Sequence, residues 1–120
     1  MYGNRARANG VGVPKRRGFE ASATQRIKCA ELSCCVCGGY PCDPMHLIPR
    51  GMTTIGQDDP LAVVPGCREH HRAYDEESLD LSPYLEPRYR EEVAFAVGRV
   101  GLFQALRRIT NLRWLAMKDT

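Results

Sequence analysis

No stretch of this 120-residue chain approaches the roughly 18 consecutive apolar residues that a membrane span needs. The first residues, Met1-Tyr2-Gly3-Asn4-Arg5, lack the apolar core of a secretory signal, so a cytoplasmic location without membrane contact is expected. In that compartment thiols stay reduced, which favours metal binding over disulfides. Acidic residues are missing from the first 18 positions, which carry Arg5, Arg7, Lys15, Arg16 and Arg17. With nothing to bury, residues 1–18 read as a disordered basic tail. It is either a solubilising tail or a segment that lies along a phosphate backbone. Histidine is scarce: His46, His70 and His71 are the only ones, and all three fall between Cys34 and Asp75. Every cysteine except Cys29 falls there too. Core cysteines usually scatter over several elements, so this clustering points to metal chemistry.

Two half-sites carry that chemistry. Cys34-x-x-Cys37 is followed by Gly38 and Gly39, which are free to take positive φ, and reads as a zinc knuckle. Cys67-x-x-His70 offers two further ligands at the start of an expected helix. Three sulfurs and one imidazole make a common tetrahedral structural site for Zn²⁺. A disulfide-stapled domain or buried free thiols are the bland alternatives, and Cys35 or Cys42 could replace one ligand. Cys29 reads as an ordinary small apolar residue.

His46 lies at an expected strand end that runs into the Pro49-Arg50-Gly51 turn. A lone histidine there is often only a satisfied structural residue. The zinc half-sites, however, would fold it against the helix that carries His71. His71 and Asp75 are four apart, share one helix face and could hold a second, hard metal ion. A neutral histidine near such an ion is suited to strip a proton from water. Arg50 is a candidate phosphate clamp, because its fork matches phosphate oxygens; its bland reading is a surface arginine in a turn.

Several motifs together resemble a known family. They are Cys34-x-x-Cys37, Cys42-Asp43-x-x-His46-Leu47-Ile48-Pro49-Arg50, Val63-Val64-Pro65, Cys67-x-x-His70-His71-Arg72-x-Tyr74-Asp75, Leu79-Asp80-Leu81 and Pro83-Tyr84-Leu85-Glu86-Pro87. They resemble the HNH (ββα-metal, His-Me finger) endonucleases, in particular small zinc-containing members from phages and prophages. The resemblance implies a structural zinc on Cys34, Cys37, Cys67 and His70, with His46 as general base. His71 would be a ligand of a catalytic Mg²⁺ or Mn²⁺. Two positions depart from the pattern. Met45 stands where many members place a metal-ligating Asp or His, with Asp43 the nearest substitute. The stretch Asp58-Asp59-Pro60, before the second strand, holds no asparagine.

The expected fold class is α+β: a small zinc-stabilised ββα core over about 34–78, followed by a helical scaffold over about 83–115. A 43% hydrophobic content suits one domain over 19–120, with a core small enough for zinc to matter. A short helix capped by Ser22 or Thr24 would carry Ile27, Cys29 and Leu32. Strands are expected over 40–48 and Leu61–Val64, separated by a long polar loop of the kind that is often functional. Beyond Pro87 a helix would bury Tyr89, Val93, Ala96, Val97 and Val100, with Arg88, Arg90, Glu91, Glu92 and Arg99 outside. After Gly98 and Gly101, a second helix from Leu102 to Thr110 would bury Leu106 and Ile109 and stop at Asn111. Arg107 and Arg108 could face DNA, and Trp114 and Leu115 would pack on the core. The function these features imply is a metal-dependent DNA endonuclease. The competing readings are a zinc-held DNA-binding module without catalysis and a structural zinc protein that binds another protein.

Overall fold

A computed structural model describes residues 21–111; the basic tail 1–18 and the Trp114–Leu115 pair lie outside the described residues. The first element, α1 (Ala23–Ala30), starts from a reciprocal cap. The Gln25 backbone N–H donates to Ser22 Oγ at 3.2 Å, and the Ser22 N–H donates to Gln25 Oε1 at 3.0 Å. Ser22, not Thr24, is therefore the cap. The buried face of α1 is Gln25 and Cys29, four apart, whereas Ile27 is 61% exposed and the helix ends before Leu32. Gln25 is buried because its side-chain amide donates to the carbonyls of Gln57 (2.6 Å) and Asp59 (2.8 Å). A search for apolar spacing cannot see that role.

The sheet is a two-stranded antiparallel pair, β1 (Cys42–His46) and β2 (Val63–Cys67), with Cys42 opposite Cys67 and His46 opposite Val63. The second strand starts later than its apolar run suggests. Pro60 opens a 3₁₀ turn over Pro60–Ala62, with the Asp59 carboxylate accepting from the Leu61 N–H at 2.8 Å. The run Leu61–Val64 is thus split between turn and strand. β2 continues through Pro65 because Pro44 sits opposite it, and both strands are sheet edges where a missing N–H is tolerated. A Cβ on Gly66 would lie 2.7 Å from Met45 Sδ, so glycine there lets the Met45 side chain cross the strand.

Helix α2 (Arg68–Asp75) follows directly, and its Tyr74 is fully buried, donating its hydroxyl to the Leu47 carbonyl at 2.6 Å. A second 3₁₀ turn (Ser82–Tyr84) leads to α3 (Arg90–Val100) and α4 (Leu102–Thr110). The α3 helix begins at Arg90, later than Pro87, and runs through Gly98. The break falls at Gly101, whose φ of +91° suits glycine, and Asn111 ends α4 in the left-handed region at φ +51°. Met45, Ile48, Val64, Tyr74, Leu81, Leu85, Ala96, Ala105 and Ile109 belong to one core cluster, so the hairpin, α2 and the C-terminal helices share a core.

Two expected faces differ. Glu92 is 7% exposed, because Lys28 Nζ reaches its carboxylate at 2.7 Å. Leu106 is 42% exposed, and α4 instead buries Ala105 and Ile109, the pair four apart that meets the core. The molecule is therefore a small α+β structure with four helices and one hairpin among the described residues. None of the helices is long and apolar enough to cross a membrane.

Candidate metal centre and active site

The metal centre is built by a turn and a helix start. In the knuckle, the Gly38 N–H donates to the Cys34 carbonyl and the Cys34 N–H to the Gly39 carbonyl, both at 2.9 Å. Gly38 takes φ +77°, the left-handed value the tight turn requires; Gly39, equally free to do so, does not. The Cys35 N–H donates to the Pro65 carbonyl at 3.0 Å, which docks the knuckle on β2 beside Cys67. His70 then lies in the first turn of α2.

The donor atoms of Cys34, Cys37, Cys67 and His70 all lie within 4.8 Å of one another. Cys37 Sγ is 3.9 Å from Cys67 Sγ, and His70 Nδ1 is 3.2 Å from Cys67 Sγ and 3.7 Å from Cys34 Sγ. Tetrahedral zinc with bonds of about 2.3 Å to sulfur and about 2.0 Å to nitrogen needs S···S edges near 3.8 Å and S···N edges near 3.5 Å. The set fits, so this group could hold a zinc ion. Burial pushes the Cys34 thiol up, but nearby backbone N–H groups and His70 outweigh it and bring the pKa down to about 6. A thiol that ionises so readily is prepared for a metal.

The spare thiols behave differently. All six cysteines are free. Cys42 donates to the Gly39 carbonyl at 3.3 Å, and burial pushes its pKa up to about 11. Burial pushes Cys35 to about 12 and the enclosed Cys29 to about 11. Neither Cys35 nor Cys42 belongs to the group of four.

A cavity of about 680 Å³ is lined by Asp43, His46, Arg50, His71 and Asp75, together with Gln57, Arg26 and Arg108. The five residues proposed from the sequence for chemistry beyond the zinc set, Asp43, His46, Arg50, His71 and Asp75, therefore open onto one space. His46 Nε2 donates to the Gln57 carbonyl at 2.9 Å, which leaves Nδ1 with the lone pair. Burial holds the His46 pKa below the ordinary 6.5, outweighing the bond to Gln57, and the charges of Arg50 and His71 push the same way. The neutral ring is thereby favoured.

His71 stands between two carboxylates. Its Nδ1 is 3.3 Å from Asp43 Oδ2, and its Nε2 is 3.3 Å from Asp75 Oδ2. Arg68 Nε also donates to Asp43 Oδ2 at 3.2 Å. Unlike the zinc set, these three residues do not close on one point. Imidazole binds a metal through one nitrogen, so only one carboxylate can join His71 on an ion; the other fixes the ring.

Gln57 is the residue that sequence reasoning missed. It is 5% exposed inside a polar loop, and its Nε2 donates to the Ile48 carbonyl at 2.8 Å. Its own carbonyl accepts from both His46 and Gln25. Composition gives no signal for this, because the group that meets His46 is backbone. No protein-family model, curated protein or solved structure matches this chain.

Proposed function

We propose that this protein is a zinc-stabilised endonuclease of the HNH (ββα-metal) type that binds DNA and hydrolyses phosphodiester bonds. The observation that carries the reading is His46: an imidazole with its Nε2–H fixed on the carbonyl of the buried Gln57 and its pKa lowered toward the neutral form, in a cavity shared with Asp43, His71 and Asp75. Such a group is suited to take the proton of a water that attacks phosphorus. The order β1, β2, α2, with zinc ligands from the preceding knuckle and the start of α2, is what the resemblance implies. Gln57 supplies a carboxamide directly before the Asp58–Pro60 stretch, where the resemblance leads one to seek an asparagine.

In this reading His46 accepts the proton at Nδ1, while the Gln57 carbonyl keeps the ring in the tautomer that can do so. Arg50, on the same cavity, takes a phosphate oxygen with its fork. A Mg²⁺ or Mn²⁺ held by His71 and Asp75 would polarise the scissile phosphate and stabilise the leaving 3′ oxygen. Asp43, the other carboxylate beside His71, secures the opposite nitrogen of its ring. Hard oxygen donors and an imidazole suit either ion.

The second reading, a DNA-binding module without catalysis, is favoured by Met45, which offers no ligand and is wholly buried. Purified protein should nick supercoiled plasmid in the presence of Mg²⁺ or Mn²⁺. His46→Ala should keep its zinc and its DNA affinity while cleavage falls by about 10²–10⁴-fold. Zinc-loaded wild-type protein that binds plasmid and cuts it with neither metal would leave the module as the function.

A further inference from the structure

Arg107 and Arg108 look alike in sequence, adjacent near the end of α4, yet they occupy different surroundings. The Arg107 guanidinium lies 5.6 Å from the centroid of Phe103, a half-exposed ring on α4 itself. Arg108 lies 4.0 Å from the centroid of Tyr74 and lines the cavity that holds His46 and Asp75. Its Nη1 donates to Asn111 Oδ1 at 2.8 Å and its Nη2 to the Tyr74 carbonyl at 3.2 Å. Tyr74 is itself fixed, fully buried and bonded to the Leu47 carbonyl.

Stacking and two bonds therefore set the plane of this guanidinium before any ligand arrives. Of its five N–H donors these bonds use two, which leaves donors for an anion in the cavity. A pre-set fork loses little further freedom on binding, and it matches phosphate oxygens better than a lysine ammonium does. Arg50 lines the same cavity from the loop after β1 and Arg26 from α1, so cations from three elements converge there.

We infer that Arg108 is a phosphate-binding residue of this cavity: it takes a backbone phosphate of the DNA strand and positions that strand against His46. The inference rests on the nuclease or DNA-binding reading of the cavity. It assigns to Arg108 a role that Arg107, its neighbour of equal charge, does not share.

Binding of a short labelled DNA duplex at several salt concentrations tests this without depending on cleavage. Each phosphate contact contributes about 0.9 to the slope of log affinity against log salt. Arg108→Gln should lower that slope by about 0.9, whereas Arg107→Gln, with the same change in net charge, should leave it at the wild-type value. Arg108→Lys keeps the charge but not the fork, so it should keep the slope and weaken binding several-fold. An unchanged slope in a folded Arg108→Gln protein, or equal losses in both glutamine variants, would overturn the inference while leaving DNA binding intact. If Arg108→Gln does not fold, Arg108→Lys decides, and wild-type affinity in that variant would overturn it. Wild-type protein that binds no duplex would overturn the DNA reading and this inference together.

Discussion

Met45 and His46 are neighbours in β1, and the alternation of a strand sends their side chains to opposite faces. Met45 is fully buried in the main core over Gly66, while His46 lines the cavity. In the sequence, Met45 looks like a lost metal ligand; in the fold it is a core residue, and a carboxylate there would be buried without a partner. His46, Asp43, His71 and Asp75 were legible as candidates because their side-chain chemistry and spacing announce them, and the fold brings all four to one cavity. Gln57 was not, because its contribution is a backbone carbonyl that every residue owns, placed by the hydrogen bond its side-chain amide donates to the Ile48 carbonyl. The lowered His46 pKa fixes the sign of a pH effect. In the proposed nuclease the neutral ring is the active form, so cleavage at saturating metal should be lost as pH falls through a value below 6.5. A pH–rate profile that still rises steeply between about pH 7 and 8 would assign the proton transfer to another group.

At the scale of elements, the cap residues carried the most information. Ser22 with Gln25, the break at Gly101 and the stop at Asn111 follow from local chemistry, and α4 runs from Leu102 to Thr110 as its pattern suggests. Burial faces were harder to read wherever a polar group is satisfied from a distant segment. Lys28 is the clearest case. Its ammonium donates to the carbonyls of Pro60 (2.6 Å) and Val63 (2.9 Å) and pairs with Glu92 at 2.7 Å, joining α1, the entry to β2 and α3. The side chains of Lys28 and Glu92 are only 19% and 10% exposed, so the partners are largely shielded from water. Lys28→Met would strand the Glu92 carboxylate and should cost about 2–4 kcal/mol in chemical denaturation. Adding Glu92→Leu should recover much of that loss, because no buried charge is then left unpaired. A double variant as unstable as the sum of the two single ones would mean that the pair is not coupled.

For the whole molecule, the question is how far the metal centre controls the fold. The four residues that could hold zinc come from the knuckle, the end of β2 and the first turn of α2, with Cys67 paired across the hairpin with Cys42. That hairpin supplies Met45 and Val64 to the same cluster that holds Tyr74, Leu81, Leu85, Ala96 and Ile109. If zinc is held there, its loss would therefore reach α3 and α4, which contribute none of the four residues. Structural zinc contributes about 10–16 kcal/mol in small domains, whereas a whole domain is stable by only about 5–15 kcal/mol. The ligand spacing was legible in the sequence; its connection to the distant helices depends on long-range packing that spacing does not encode. Purified protein should contain one zinc per chain by elemental analysis, and a strong chelator should unfold it in one transition, with helix signal and tertiary signal lost together. Cys34→Ser and Cys67→Ser should behave as the chelated protein does, while Cys42→Ser, outside the ligand set, should keep its zinc. Retention of the α3–α4 helix signal after chelation would place the C-terminal helices in a separately stable unit. In that case zinc would organise the hairpin and the cavity without holding the rest of the chain.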